Sequence, residues 1–321
     1  MTPAPLLVVL RPLGLGDFLT AVPAYRALAR AYPEHRRVLA APRALHDLAA
    51  LTGAFAAAVD VRPLAPLPPV LRRAALAVDL HGRGPASQRV LVASGAERLI
   101  AFACAEVPET RGGAAWDAGE HEVARWCRML AHAGIAADPA DLALAPPALR
   151  ADARNATIVH PGAQSGARRW PAERFAAVAR DERRRGRRVL VTGSLAERPL
   201  ALEVARCAGL VESEVVAGRT SALDLAALVA HAGRVVCGDT GIAHLATAFG
   251  TPSVVLFGPT PPRQWGPPAR PCHRVLWRGM PGDPHGTRLD PGLAAIGVDD
   301  VLAALADLPR LARGRVGTVR T

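Results

Sequence analysis

Lysine is absent from this chain: all 39 basic residues are arginine. With 29 glycines, 29 prolines and a heavy alanine load, that fits a GC-rich coding sequence. Aromatic residues make up only 4% of the chain, and no basic stripe is interleaved with stacking side chains. Both observations argue against nucleic acid as a partner. The five cysteines, Cys104, Cys127, Cys207, Cys237 and Cys272, are odd in number and far apart, with no C-x-x-C pair. A disulfide scaffold and a zinc knuckle are therefore not expected. No apolar run approaches the roughly 20 residues of a membrane-crossing helix, and Leu6–Leu10 is too short for the core of a signal peptide. The expected setting is soluble, reducing and cytoplasmic. H-E-x-x-H, D-x-D and other paired ligand spacings are missing, so neither a metal nor a cofactor is expected. The G-x-S-x-G elbow of a serine hydrolase and the phosphate loop of the nucleotide triphosphatases are missing too.

What remains is ample for two domains. The chain has 321 residues and 33.6 kDa, half of it apolar and 21% charged, enough for two buried cores. Its formal charge of +11 favours acidic partners: nucleotide phosphates or an anionic membrane surface met peripherally.

Short apolar runs alternate with longer helical stretches, the pattern of β-α-β units and a mostly parallel sheet. Leu6–Leu10 reads as a buried strand, followed by the turn Arg11–Gly16 and a helix from Asp17 to Pro33. Further strands are expected at Arg37–Ala41, Ala75–Leu80, Val90–Val92 and Leu99–Phe102. The pattern breaks at Leu144–Ala148, which places a boundary between residues 148 and 149. It restarts with a strand at Ala156–His160, a helix at Pro171–Arg185 and a strand at Arg188–Thr192. Next come a helix near Glu197–Cys207 and a short strand at Glu214–Ala217. The series closes with a helix at Leu223–Ala232, a strand at Arg234–Cys237, a helix at Ile242–Phe249, the strand Ser253–Phe257 and a last helix at Val298–Leu305. The stretch 260–290, rich in Pro and Gly, reads as surface wrapping. Two Rossmann-like halves in tandem, 1–148 and 149–321, are the simplest assembly.

Three loops could carry chemistry, and each has a plainer reading. Gly14-Leu-Gly-Asp17 fails as a dinucleotide fingerprint because Leu19 stands where G-x-G-x-x-G needs glycine. Asp17 is either a helix cap or, at the carboxyl edge of the first strand, a carboxylate placed to act as a base. The loop His160–Pro171 offers glycines and the pair Arg168 and Arg169 ahead of a helix. It is either a phosphate cradle or a flexible loop with solvated arginines. Gly238–His244 puts Asp239 or Thr240 at a helix start, with His244 four residues after Thr240 on the same face. His244 is either a core histidine or part of a second anion-binding loop. The run Arg183–Arg188 reads as a solvated helix end.

Taken together, the motifs resemble glycosyltransferase family 9, the heptosyltransferase-like enzymes. The resemblance rests on the ordered series Leu13–Asp17 with Pro23 and Arg26–Leu28, Val78–Gly82, His160–Ala163, Arg168–Pro171, Thr192–Glu197, Thr220–Leu223, Gly238–His244 and Phe257–Thr260. It implies a GT-B fold, two Rossmann-like domains facing a cleft, with acceptor on the N-terminal side and nucleotide sugar on the C-terminal side. It implies inverting, metal-independent transfer from a donor such as ADP-heptose to a glycan, glycolipid or small-molecule acceptor. Asp17 would be the base. Gln164, Ser165, Arg168, Glu197, Asp239, Thr240, Gly241 and His244 would hold the donor, and Gly16, His81 and Arg83 would lie on the acceptor side. The family usually has lysine where this chain has Arg168, and a guanidinium changes the geometry of phosphate contact. A non-catalytic sugar-nucleotide-binding paralogue, a sugar-nucleotide epimerase and a heptosyltransferase of secondary metabolites are the alternatives.

Overall fold

The computed structural model describes residues 3–148 and 153–309. The boundary expected between 148 and 149 falls at the edge of 149–152, which lie outside the described residues.

The first half alternates strand and helix as β1 (Leu6–Leu10), α1 (Leu15–Thr20), α2 (Val22–Ala31), β2 (Arg36–Ala41), α3 (His46–Leu51) and β3 (Ala57–Asp60). It continues with β4 (Leu76–Asp79), α4 (Ala86–Ala93), β5 (Leu99–Ile100) and α5 (Glu122–His132). The second half runs β6 (Thr157–His160), α6 (Ala172–Arg184), β7 (Val189–Val191), α7 (Arg198–Ala208), α8 (Ala222–His231), β8 (Arg234–Gly238) and α9 (Gly241–Phe249). It ends with β9 (Ser253–Phe257), α10 (Pro262–Trp265), β10 (His273–Trp277), α11 (Pro291–Ala294) and α12 (Val298–Ala306). Every strand pairing is parallel. The strand orders are β3-β2-β1-β4-β5 and β10-β9-β8-β6-β7.

Both orders reverse direction beside the first strand of the half, between β1 and β4 and between β6 and β8. Open parallel sheets bind ligands at such points, outside the carboxyl ends of the strands. The segments leaving β1, β6 and β8 are Arg11–Asp17, Pro161–Arg169 and Asp239–Gly241, the three loops singled out from the sequence.

The strands are apolar because both faces are covered. Along β1, Leu7 and Val9 enter one core while Val8 and Leu10 enter the other. The first of these cores is shared between halves. It joins Phe18, Tyr25, Leu28 and Trp126 to Ala226, Val229, Leu245 and Phe257. A separate core packs α6, α7 and α12 against the outer face of the second sheet, around Trp170 and Phe175. Gly209 and Gly250 close α7 and α9 in the left-handed conformation (φ 71° and 66°), where a Cβ would be strained.

Several expectations are corrected. The first helix starts at Leu15, two residues before Asp17, and is interrupted at Ala21. Pro23 has no amide to donate back to Leu19, so the helix restarts with Pro23 in its first turn. Val90–Val92 is not a strand: it lies in α4, where Ser87, Gln88 and Leu91 form the buried face. A three-residue apolar run does not distinguish the two periods. The strand expected at Glu214–Ala217 reduces to a single parallel bridge between Val191 and Val215, because a 3-10 turn occupies Glu212–Glu214. The stretch 260–290 does more than wrap: it contains α10 and the edge strand β10. No described helix is long and apolar enough to cross a membrane.

Candidate active site

A cleft of about 790 Å³ lies between the two carboxyl edges, within the range of small-molecule sites. The first half contributes one short segment, Gly14–Asp17. The second half contributes most of the wall: His160, Gln164, Arg168, Ser194, Glu197, Thr220, Asp239, Thr240, Gly241 and His244, with Thr260, Trp265 and the 281–285 segment at the rim.

Asp17 is not the cap of α1. Gly14 holds that position in extended conformation (φ −75°, ψ 178°), and Asp17 is the third helical residue. From there its carboxylate accepts a hydrogen bond from the Gly14 amide, as a carboxylate in a first helical turn can. Its side chain is 32% exposed. Burial raises its pKa above the ordinary aspartate value, the nearby Arg11 guanidinium pulls it down, and Glu122 pushes it up again; the net direction is upward.

Across the cleft, Arg168 is the last residue of a 3-10 turn at Gly166–Arg168. Its guanidinium is 3.0 Å from the Asp239 carboxylate and also donates to the Asp239 carbonyl. Its Nε is buried without a partner, a donor available to an anion. Burial raises the Asp239 pKa against Arg168 and a Thr260 hydroxyl that pull it down. Asp239 is thus the partner that orients Arg168. Thr240 is the cap residue of α9 without a side-chain cap bond, so the opening amides of this nine-residue helix keep their capacity for an anion.

Glu197 accepts from the Ser194 amide (2.7 Å) and hydroxyl (2.8 Å). Burial pulls its pKa up, but the Ser194 bonds together with His160 and Arg169 outweigh it, and the carboxyl lies below its ordinary value. His160 is buried at the end of β6, with Nδ1 2.9 Å from the Thr192 hydroxyl; burial lowers its pKa. Ser165 does not line the cleft. Its hydroxyl donates to the Pro284 carbonyl (2.6 Å) and ties the rim segment to the arginine loop.

The halves meet at α1 and α9. A Cβ on Gly16 would lie 3.1 Å from the His244 ring, and one on Gly241 would lie 2.9 Å from Leu15 Cβ. These two glycines let the helices approach. His244 also stands edge-on to Trp265, with ring centroids 5.9 Å apart. Burial pushes its imidazole down to about 4, with His121 and Arg168 acting in the same direction.

His81 and Arg83 lie outside the cleft lining, in the loop after β4. The His81 amide donates to Asp79 (2.9 Å) and Arg83 is exposed. Sequence reasoning quoted His160, Thr260 and Arg11 within motifs or turns without giving them a role, and passed over Trp265 and Glu122. The signal for Arg11 was present, since a charged residue directly follows a five-residue apolar strand. Nothing in the sequence pairs it with Glu122, 111 positions away.

Among curated proteins, lipooligosaccharide heptosyltransferase 2 of Haemophilus influenzae is 34% identical over 112 residues, 34% of this chain and 32% of that protein. The chain therefore aligns with about a third of that relative's length. Two solved structures share the fold. Escherichia coli ADP-heptose LPS heptosyltransferase II is 21% identical with a TM-score of 0.75, covering 94% of this chain and 97% of that one. E. coli heptosyltransferase WaaC with ADP is 17% identical with a TM-score of 0.71, covering 94% and 99%. The two parallel-sheet domains are those of a GT-B fold. The sequence model of glycosyltransferase family 9 (heptosyltransferase) matches residues 113–283, more than half of the chain, and the protein belongs to that family.

Proposed function

We propose that this chain transfers a heptose-type sugar from a nucleotide donor, ADP-heptose, to a hydroxyl of a glycan or glycolipid acceptor, with inversion and with Asp17 as general base. The observation that carries the reading is the placement of the Asp17 carboxylate in the same cleft as Arg168 and the free start of α9. One wall offers a proton acceptor and the other an anion site, which is the polarity a displacement at an anomeric carbon requires.

The nucleotide diphosphate lies against Arg168 and the amides of Thr240–Gly241, and Glu197 accepts from the ribose hydroxyls. Gln164, Asp239 and His244 complete the donor side, Asp239 by aiming Arg168, while Ser165 acts from outside the cleft by tying the rim segment to the arginine loop. As the sugar–phosphate bond breaks, Arg168 and the α9 terminus stabilise the charge growing on the leaving oxygen, the role a divalent cation plays elsewhere. Asp17 removes the acceptor proton on the opposite face of the sugar. Its raised pKa suits this, because a base is most effective when its pKa approaches the working pH. Gly16 lies beside the acceptor hydroxyl, while His81 and Arg83 could reach only an acceptor extending beyond the cleft. The two halves act as domains divided near residue 148, acceptor side first and donor side second. The basic surface suits an anionic, lipid-linked acceptor at the cytoplasmic face of a membrane. The ADP bound to E. coli heptosyltransferase WaaC and the ADP-heptose in the name of heptosyltransferase II support the choice of nucleotide.

The test is calorimetric titration with ADP, GDP, UDP and dTDP in the presence of a chelator. Selective ADP binding is expected. Preference for another diphosphate would overturn the donor, and loss of all binding under chelation would overturn metal independence. Release of an epimerised sugar nucleotide without acceptor would replace transfer by epimerisation.

A further inference from the structure

Arg11 is fully buried at the carboxyl end of β1, and its guanidinium spans four elements. Nε donates to the Asp17 carbonyl (2.8 Å) in α1, and Nη1 donates to the Leu80 carbonyl just past β4. Nη2 donates to the Thr20 hydroxyl (3.2 Å) and to Glu122 Oε1 (3.2 Å) at the start of α5. The same nitrogen is 4.0 Å from Asp17 Oδ1. Glu122 is itself buried and fully engaged: Oε1 also accepts from Trp126 Nε1 (2.9 Å), and Oε2 accepts from the buried Arg125. The guanidinium of Arg11 lies 4.6 Å from the Trp126 ring centroid, and that of Arg125 lies 4.3 Å from Trp116.

These contacts form a chain of alternating charge, Asp17–Arg11–Glu122–Arg125. Three of its members are sealed from solvent, and the fourth, Asp17, opens into the cleft. A buried guanidinium is costly to desolvate, and removing its partner costs far more than the pair contributes. Such a network is unnecessary to hold a helix that already buries Phe18 and Leu19. It does place one specific carboxylate and set the charge behind it.

We propose that Arg11 and Glu122 are positioning residues for Asp17: Arg11 clamps the backbone that presents the carboxylate, and Glu122 takes up part of the Arg11 charge so that Asp17 is not locked into an ion pair. The long 4.0 Å contact to Asp17, against the hydrogen bond to Glu122, is the geometric sign of that division. When Asp17 takes a proton, Arg11 and Arg125 share a single remaining carboxylate, and the excess positive charge favours release of the proton to water for the next turnover. The other titratable groups around this point are Tyr25 of α2, Asp79 at the end of β4, His81 in the loop after it, His244 of α9 and Arg168 across the cleft.

The proposal rests on Asp17 being the base, and the two are tested separately. The coupling is read without substrate, by following the 13Cγ resonance of Asp17 through a pH titration of the aspartate-labelled chain. The signal is assigned by its loss in Asp17→Asn. Glu122→Gln keeps the shape and an acceptor oxygen for Trp126, and should lower the Asp17 midpoint by about half a pH unit or more. Arg11→Gln should raise it by a similar amount. Glu120→Gln, whose native partner is Arg128 on the outer side of α5, should leave it in place. An unmoved midpoint in a folded Glu122→Gln chain would overturn the proposal, as would an equal shift from Glu120→Gln. If Arg11→Gln fails to fold, Glu122→Gln alone decides. Unchanged turnover in Asp17→Asn would instead remove the base reading while leaving the measured coupling as it stands.

Discussion

The two walls of the cleft are built on opposite plans. The first half contributes four residues, Gly14–Asp17, and supports them with an ion network sealed from water. The second half contributes loops from the ends of β6, β7, β8 and β9. Its charged groups, Arg168, Asp239 and Glu197, hold one another or their own loop backbone beside the cavity. A group that must act on one proton benefits from a fixed position and a charge environment that does not change with solvent. A surface that must accept a large anion benefits from donors whose present partners leave capacity to spare, as Arg168 Nε and the α9 amides do.

The largest expected effect sets one wall against the other. Asp17→Asn should lower turnover at least about a hundredfold, the low end of the general-base range, with ADP affinity unchanged in calorimetry. Arg168→Gln should do the reverse in binding, weakening ADP about tenfold or more as charge-assisted bonds are lost. Arg168→Lys, which restores the residue usual in the family, should stay within a few fold of the native affinity. Equal losses of binding in the Asp17 and Arg168 variants would erase the distinction between the walls.

A smaller effect is expected where the walls touch. Gly241→Ala would push a methyl against Leu15. It should lower turnover about tenfold or less while leaving ADP binding near native, because it spreads α1 from α9 without altering Arg168. Tighter ADP binding with full turnover would show that this contact does not align the site.

The smallest effect sets two buried histidines of the second half against Asp79 of the first by the sign of a pH dependence. His273 in the second sheet is buried against the Ser253 hydroxyl, and burial pushes it down to about 4, as for His244. The unfolded chain binds these protons near pH 6.5 and the folded chain does not, so their stability contribution is lost as pH falls from about 6.5 to about 4. Asp79 in the first sheet has the opposite sign. Burial raises it to about 6, so the folded chain holds its proton more tightly than the unfolded one. Its contribution is present below the ordinary aspartate value near 4 and is lost as pH rises to about 6. Urea midpoints between pH 4 and 6.5 should therefore rise with pH in the native chain, and more steeply in Asp79→Asn. An unchanged slope in that variant would show that Asp79 is ionised throughout the range.

Much of this could be read along the chain. The period of the apolar runs placed β1, β6, β8, β9 and helices α6 to α9 within a residue or two, because both faces of a parallel sheet must be covered and amphipathic helices do the covering. The failures have separate local causes. Val90–Val92 is too short to show a period, β10 alternates on an exposed edge inside a Pro-rich stretch, and Asp17 lies two residues inside its helix because Gly14, without a capping side chain, starts it.

Local chemistry thus determined which segments could carry function: glycine-rich loops after strands, an arginine ahead of a helix, an aspartate in a first turn. Only the tertiary structure decided how they act together. It brought Gly16 and Gly241 close enough for two helices to meet, paired Arg168 with Asp239, and left His81 and Arg83 off the cleft. It also joined Arg11 to Glu122 behind Asp17. Sequence encodes each side chain's charge, but the solvent it loses and the partners it gains depend on contacts between segments a hundred residues apart.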